Sequence, residues 1–231
     1  MSFILGQKKE MTQVFSEDGH LTPATLIEAG PVVIVQLKTP EKDGYKSVQI
    51  GYGFKNSKHI KKPQKGHLKK ISNFSAFAPP PKATEGYSKA SADRQFSISN
   101  VKWLKEFRVE KPEDFQPGDV IGAGVFKEGD KVRVSAISKG KGFQGVVRRH
   151  GFAGGPRTHG QKHSEREAGS IGGGGRSGGR VTKGMRMPGR MGGRRVTMRN
   201  LKILKVDSEN NLILVSGAVP GRRGTLVEIR N

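Results

Sequence analysis

The chain has 231 residues, a formal net charge of +22, 33% hydrophobic residues, 33 glycines and no cysteine. That length and apolar content allow one modest core, and the charge calls for an anionic partner. Nucleic acid is expected ahead of a membrane, since no stretch joins basic residues to an amphipathic helical face and no apolar run approaches the about 18 residues of a spanning helix.

The missing cysteines exclude disulfides, thiolate metal sites and cysteine nucleophiles, which fits a reducing compartment. The opening MSFILGQKKEMTQVF carries neither an apolar signal core with a cleavage site nor an Arg/Ser-rich transit pattern. The expectation is a cytoplasmic chain, with an organellar matrix left open. From Met11 to Tyr52 the runs MTQVF, PATLIEAG, VVIVQL and KSVQIGY alternate with the turns SEDG and PEKDG, the pattern of short strands in a barrel or sandwich. Residues 55–70, KNSKHIKKPQKGHLKK, follow with seven lysines and no acid, and Lys61, Lys62 and Lys65 are candidates for phosphate contact. The Ser/Ala/Pro-rich continuation to residue 100 reads as a solvated loop. Strand patterns resume in PGDVIGAGVF and DKVRVSAI, and again in MRNLKILKV, LILVS and TLVEIR, separated by DSENN and GAVPG. The predicted fold class is mainly β. Its body is residues 1–137 and 196–231, closing on itself so that no sheet edge is left bare, with a basic inserted loop over residues 55–100.

Residues 138–195 break this grammar. Between 138 and 200 there are 18 glycines and only 13 apolar side chains, with no leucine, so the segment cannot bury enough surface to offset its ordering entropy. The same stretch holds 15 lysines and arginines against Glu165 and Glu167. A long, non-globular, Gly/Arg-rich extension ordered on RNA is expected. Its candidate RNA-binding residues are Lys139, Lys141, Arg148, Arg149, His150, Arg157, His159, His163, Arg166, Arg176, Arg180, Lys183, Arg186, Arg190, Arg194 and Arg195. Guanidinium forks hold phosphates bidentately and stack on bases, and histidines among arginines do the same more weakly. Gly140, Gly142, Gly145 and Gly172, Gly173, Gly174 and Gly175 are candidates for close approach of the backbone to RNA. Met185, Met187, Met191 and Met198 supply adaptable apolar filling. The bland reading is a disordered RGG-like segment that coats RNA loosely. Against it, the segment is tethered at both ends between strands.

Three motifs invite other chemistry. GKGFQG, residues 140–145, matches GxGxxG, but a dinucleotide site needs a helix after the glycines, and Gly151, Gly154, Gly155 and Pro156 are expected to break one. His159 and His163 stand four apart, the zinc spacing on a helix, yet glycines flank them and no third ligand is evident. Glu110, Glu113, Asp114 and Asp119 cluster around prolines, which suits surface turns better than general acid work. No catalytic residue, metal or cofactor is expected.

GVFKEGDKVRVSAISKGKGFQGVVRRHGF, residues 124–152, resembles the signature of the large-subunit ribosomal protein L three family, bacterial type, through Phe126, Ser138, Gly140, Lys141, Gly142, Gly145 and Arg149. Further similar runs appear in order: KKEMTQVFSEDG, KPQKGH, WLKEFRV, RTHGQKHSEREAGSIG, MPGRMGG and LKILKVDSENNLILVSGAVPG. The resemblance implies a translation-protein-like β-barrel on the large subunit, bound near the 3′ end of 23S-type rRNA early in assembly, beside neighbouring ribosomal proteins. It also implies an extension towards the peptidyl transferase centre, with no chemistry of its own, no membrane and no small-molecule substrate. Four departures stand out. Arg133 sits where the signature has Asp or Asn, and Glu10 replaces a glycine at an N-terminal turn. Residues 71–100 look longer than in the common bacterial form, and Gly172–Gly175 offer no glutamine for the methylation some members carry. A free basic RNA chaperone or nucleoid-type protein would use the same charges without a fixed site.

Overall fold

A computed structural model describes residues 2–15, 19–69, 100–173 and 178–231. The long Ser/Ala/Pro-rich stretch of the insertion therefore lies outside the described residues. The chain divides into two compact units, Met1–Ile137 with Val196–Asn231, and Ser138–Arg195.

The larger unit is built on a closed six-stranded barrel. Its strands are β1 (Phe3–Phe15), β2 (Leu21–Ala29), β7 (Lys131–Ile137), β10 (Arg195–Asp207), β11 (Leu212–Ser216) and β12 (Leu226–Arg230), in the order β1-β12-β7-β10-β11-β2. Directly opposed residues share a face, so the register identifies the interior. Ile4 pairs with Ile229 and Ile229 with Val134; Gly6 pairs with Val227 and Ala29; Ile27 pairs with Ile213, and Thr25 with Val215. Ile4, Ile27, Val134, Ile203, Ile213, Val215, Val227 and Ile229 are all fully buried. These β-branched side chains fill a small barrel from alternate positions, as period-2 patterning requires. The mainly β body with a closed barrel agrees with the sequence expectation.

Not every expected strand joins the barrel. β3 (Val32–Lys38), β4 (Ser47–Phe54), β5 (Val101–Arg108) and β6 (Val120–Ile121) form a separate four-stranded sheet in the order β5-β4-β3-β6. Val32, Val33, Ile34 and Val35 are consecutive and all buried. Val32 and Ile34 belong to the main core, while Val35 packs with Val101 and Leu68. A strand covered on both faces loses the alternation that marks an outer strand.

The beginning of β1 is covered twice for a related reason. Phe3 lies on the face opposite Ile4 and stacks on Phe107 of β5 with ring centroids 4.7 Å apart. Glu228, across from Leu5, pairs with Lys105 of β5 at 3.4 Å. Where Glu10 replaces the family's glycine, the chain makes no turn. The strand runs on through a register irregularity between Lys8 and Met11, and Glu10 lies 3.6 Å from Arg223.

The lysine-rich insertion also differs from a plain loop. Residues Lys62–Lys69 form an α-helix, with Leu68 fully buried against Val35 and Val101. Gly51 gives them room, since a β-carbon there would lie 2.9 Å from Val101 and 3.1 Å from Val35. His67 on this helix meets Gln49 Oε1 at 2.8 Å, and Gln49 donates to Glu106. Lys38 sits 2.9 Å from the Glu106 carboxylate, to which the Tyr45 hydroxyl also donates. The Lys38 hydrogen bond holds Glu106 below its usual carboxyl range, and Glu106 raises the Lys38 ammonium.

Candidate nucleic-acid interface

The smaller unit is held mostly by backbone. β8 (Phe143–Gln144) pairs with β9 (Gly189–Arg190), with Phe143 opposite Arg190. Lys141 N donates to Met191 O and Met191 N to Gly142 O, each at 2.9 Å, and Ser138 N donates to Arg194 O at 2.9 Å. These bonds zip the segment's two ends together. Gly192 belongs to the seam as well, because a β-carbon there would run into the Lys139 carbonyl. A five-residue helix, Val146–His150, follows Gly145 directly and stops at Gly151, whose φ is 75°. The glycines expected to forbid a helix thus permit one short turn and then end it. Val146 is the one fully buried apolar side chain among the described residues of this unit.

Around this frame the cations face outward. Lys139, Lys141, Arg148, Arg157, His159, His163, Arg166, Arg180, Lys183, Arg186, Arg190, Arg194 and Arg195 are all exposed. Two candidates are drawn inward: Arg149 donates to Met187 O at 2.6 Å and His150 Nε2 meets the same oxygen at 3.1 Å, both half-buried. Gly189 makes room for that guanidinium. Arg157 has an acidic neighbour, Glu165, at 3.4 Å, in a loop where a β-carbon on Gly154 would collide with the Glu165 carbonyl. Arg148 is steadied by Gln144 at 3.2 Å. His159 and His163 lie in turns and irregular backbone rather than on a helix, and among the described residues no group of three or more His, Asp or Glu could hold a metal ion. In the other unit, Lys61, Lys62 and Lys65 are exposed at the start of the Lys62–Lys69 helix. Gly174, Gly175 and Arg176 lie outside the described residues.

The glycines sort into two groups. Gly154, Gly189 and Gly192 are required by neighbouring atoms of the chain itself, and nothing local in the sequence marks them, because the atoms they avoid come from elsewhere in the segment. Gly140, Gly145 and Gly173 have nothing within 4 Å of a β-carbon, and Gly172 has only the Arg180 carbonyl at an ordinary 3.6 Å. None of these four has a left-handed φ; Gly142, at φ 70°, does. Among the described residues, nothing bars a side chain at Gly140, Gly145, Gly172 or Gly173.

A family model described as ribosomal protein L3 matches residues 106–211, from β5 through the whole smaller unit and into β10 and its turn. Similarity extends well beyond that stretch. The large ribosomal subunit protein uL3 of Desulfitobacterium hafniense is 44% identical over 227 residues, covering 98% of this chain and 94% of that protein. This chain belongs to the ribosomal protein L3 family. Its counterpart in Finegoldia magna is also 44% identical, over 100% of this chain and 97% of its own length, and that in Thermotoga petrophila is 43% identical over 231 residues. The relatives are matched over nearly their full lengths, so barrel, second sheet and basic unit all fall within the family's shared span.

Proposed function

We propose that the chain is a structural constituent of the large ribosomal subunit, binding 23S-type rRNA near its 3′ end and helping to nucleate early assembly. Residues 138–195 would lie among rRNA helices and reach towards the peptidyl transferase centre, supporting the catalytic RNA without performing chemistry. The body would sit beside neighbouring ribosomal proteins, and the working location would be the cytoplasmic ribosome. The observation that carries this reading is the group of glycines with no internal reason to be glycine, set among outward-facing arginines and lysines. A bare backbone can press against a phosphate chain, and neighbouring guanidinium forks can clasp it. Family membership supports the ribosomal setting.

The test is binding of the purified chain to a 23S-type rRNA transcript across a salt series. About ten phosphate contacts would give a slope of log K against log salt of roughly −7 to −9, and a slope flatter than about −3 would overturn the reading. Arg180→Glu and Arg190→Glu should each weaken binding, by setting a carboxylate against phosphate. Gly173→Val should leave the melting temperature unchanged while slowing subunit assembly in cells that depend on the variant. Sedimentation of cell extract separates this function from that of a free RNA chaperone, which would not travel with the large subunit.

A further inference from the structure

Phe143 is 75% exposed, the highest value for any large apolar side chain among the described residues. It does not sit on a loose tail. It opens β8, is paired backbone to backbone with Arg190, and follows Gly142, which accepts from Met191 N. Gln144 Nε2 bonds back to the Lys141 carbonyl and in turn receives Arg148, so the chain on either side of the ring is pinned. At Gly140, Gly142 and Gly145 a β-carbon would meet only open space, so the backbone around the ring is bare. The result is an exposed aromatic side chain on pinned backbone, in a segment, residues 138–195, that carries 14 lysines and arginines against two glutamates. An apolar protein surface would meet those charges at a desolvation cost, whereas an unpaired nucleotide offers a π-face for the ring and a phosphate for the cations.

We infer that Phe143 is a stacking platform for an unpaired base of the bound RNA, with Arg190 positioned to take that nucleotide's phosphate. Opposed side chains on paired strands stand roughly 5 Å apart at their β-carbons, close enough for one nucleotide to span both. The inference rests on the RNA-binding reading above and adds a contact that does not depend on charge.

The test compares variants of the full chain on the same 23S-type rRNA transcript across a salt series. Phe143→Ala should weaken binding about 5- to 150-fold with the salt slope unchanged, because no cation is lost. Phe143→Tyr should bind like the native chain, and Phe143→Leu should remain weak, since it keeps apolar area without a π-face. Arg190→Gln should lower the steepness of the slope by about 1. The ring is exposed, so unchanged melting temperatures are expected for all three Phe143 variants and confirm that each is folded. Native affinity in Phe143→Ala, or full recovery in Phe143→Leu, would overturn the stacking contact while a steep native slope left the RNA-binding reading intact. A flat slope in the native chain would remove both.

Discussion

The barrel unit and the Ser138–Arg195 unit obey opposite rules within one chain. In the barrel, Ile4, Ile27, Ile213 and Ile229 meet across strands and exclude water, so position is fixed by side-chain packing. Among the described residues of the smaller unit one valine is buried, and position is fixed by backbone hydrogen bonds at Ser138, Lys141 and Met191. In the first arrangement burial supplies the stabilising free energy. The second leaves most of its cations exposed and buries little, so it gains little free energy of that kind. A residue type therefore means different things in the two units. Gly6 in β1 is there because a β-carbon would meet the Glu28 carbonyl at 2.7 Å, whereas Gly173 avoids no atom of the described residues.

The largest effect should come from cutting into the barrel. Ile213→Ala should cost about 2 to 5 kcal/mol, read as a fall in the chemical denaturation midpoint. Replacing residues 140–195 by a short linker should be gentler, leaving a cooperative transition in the remaining body. Loss of cooperativity on that deletion, with mild behaviour of Ile213→Ala, would invert the comparison.

Next comes the contrast between glycines. Gly6→Ala should cost about 1 to 3 kcal/mol through overpacking. Gly189→Ala, whose nearest neighbours are the side-chain end of Arg149 rather than backbone, should shift the melting temperature much less. Equal costs would mean that the smaller unit is packed as tightly as the barrel.

Much of this division is visible in the sequence. Val132, Val134 and Ala136 alternate with Lys131, Arg133 and Ser135 in β7, and Ile213 and Val215 with half-buried neighbours in β11, so these strands read directly. Phe3 to Gly6 do not, because the second sheet covers the outer face of β1 and erases the alternation. The Lys62–Lys69 helix has no apolar stripe to betray it; its fully buried anchor is Leu68, and the partners of that anchor lie on strands distant in sequence. In the smaller unit, charge and glycine content are plain to read. Which glycines serve the chain itself is not, since Gly192 answers to the Lys139 carbonyl from the far end of the segment.

Two smaller effects sharpen the electrostatic side. Glu106 is held below its ordinary range by Lys38, so its contribution is present above the unfolded carboxyl value of about 4.3 and lost as pH falls through the folded value. Glu106→Gln should therefore lower the melting temperature slightly at neutral pH, since solvent screens the pair, with the gap to the native chain closing as the pH falls through the folded value. A gap independent of pH would assign the effect to packing. Smallest of all, Arg133 stands directly opposite Arg230 on β12. Like charges so placed repel, and Arg133→Asp should raise stability by a few tenths of a kcal/mol, about 0.2 to 0.5. A melting temperature that falls would show that Arg133 has a supporting role in the barrel.

β7 and β10, the strands that lead out of the body at Ile137 and back at Val196, are neighbours in the barrel. Seen as heredity rather than mechanics, this makes the basic unit one oversized loop, open to insertion and deletion. Lengthening a loop between adjacent strands costs only about 0.6 kcal/mol per doubling, and it shifts no other pair in the register. The barrel itself therefore sets no limit on the length or composition of that segment, and any such limit comes from outside the barrel.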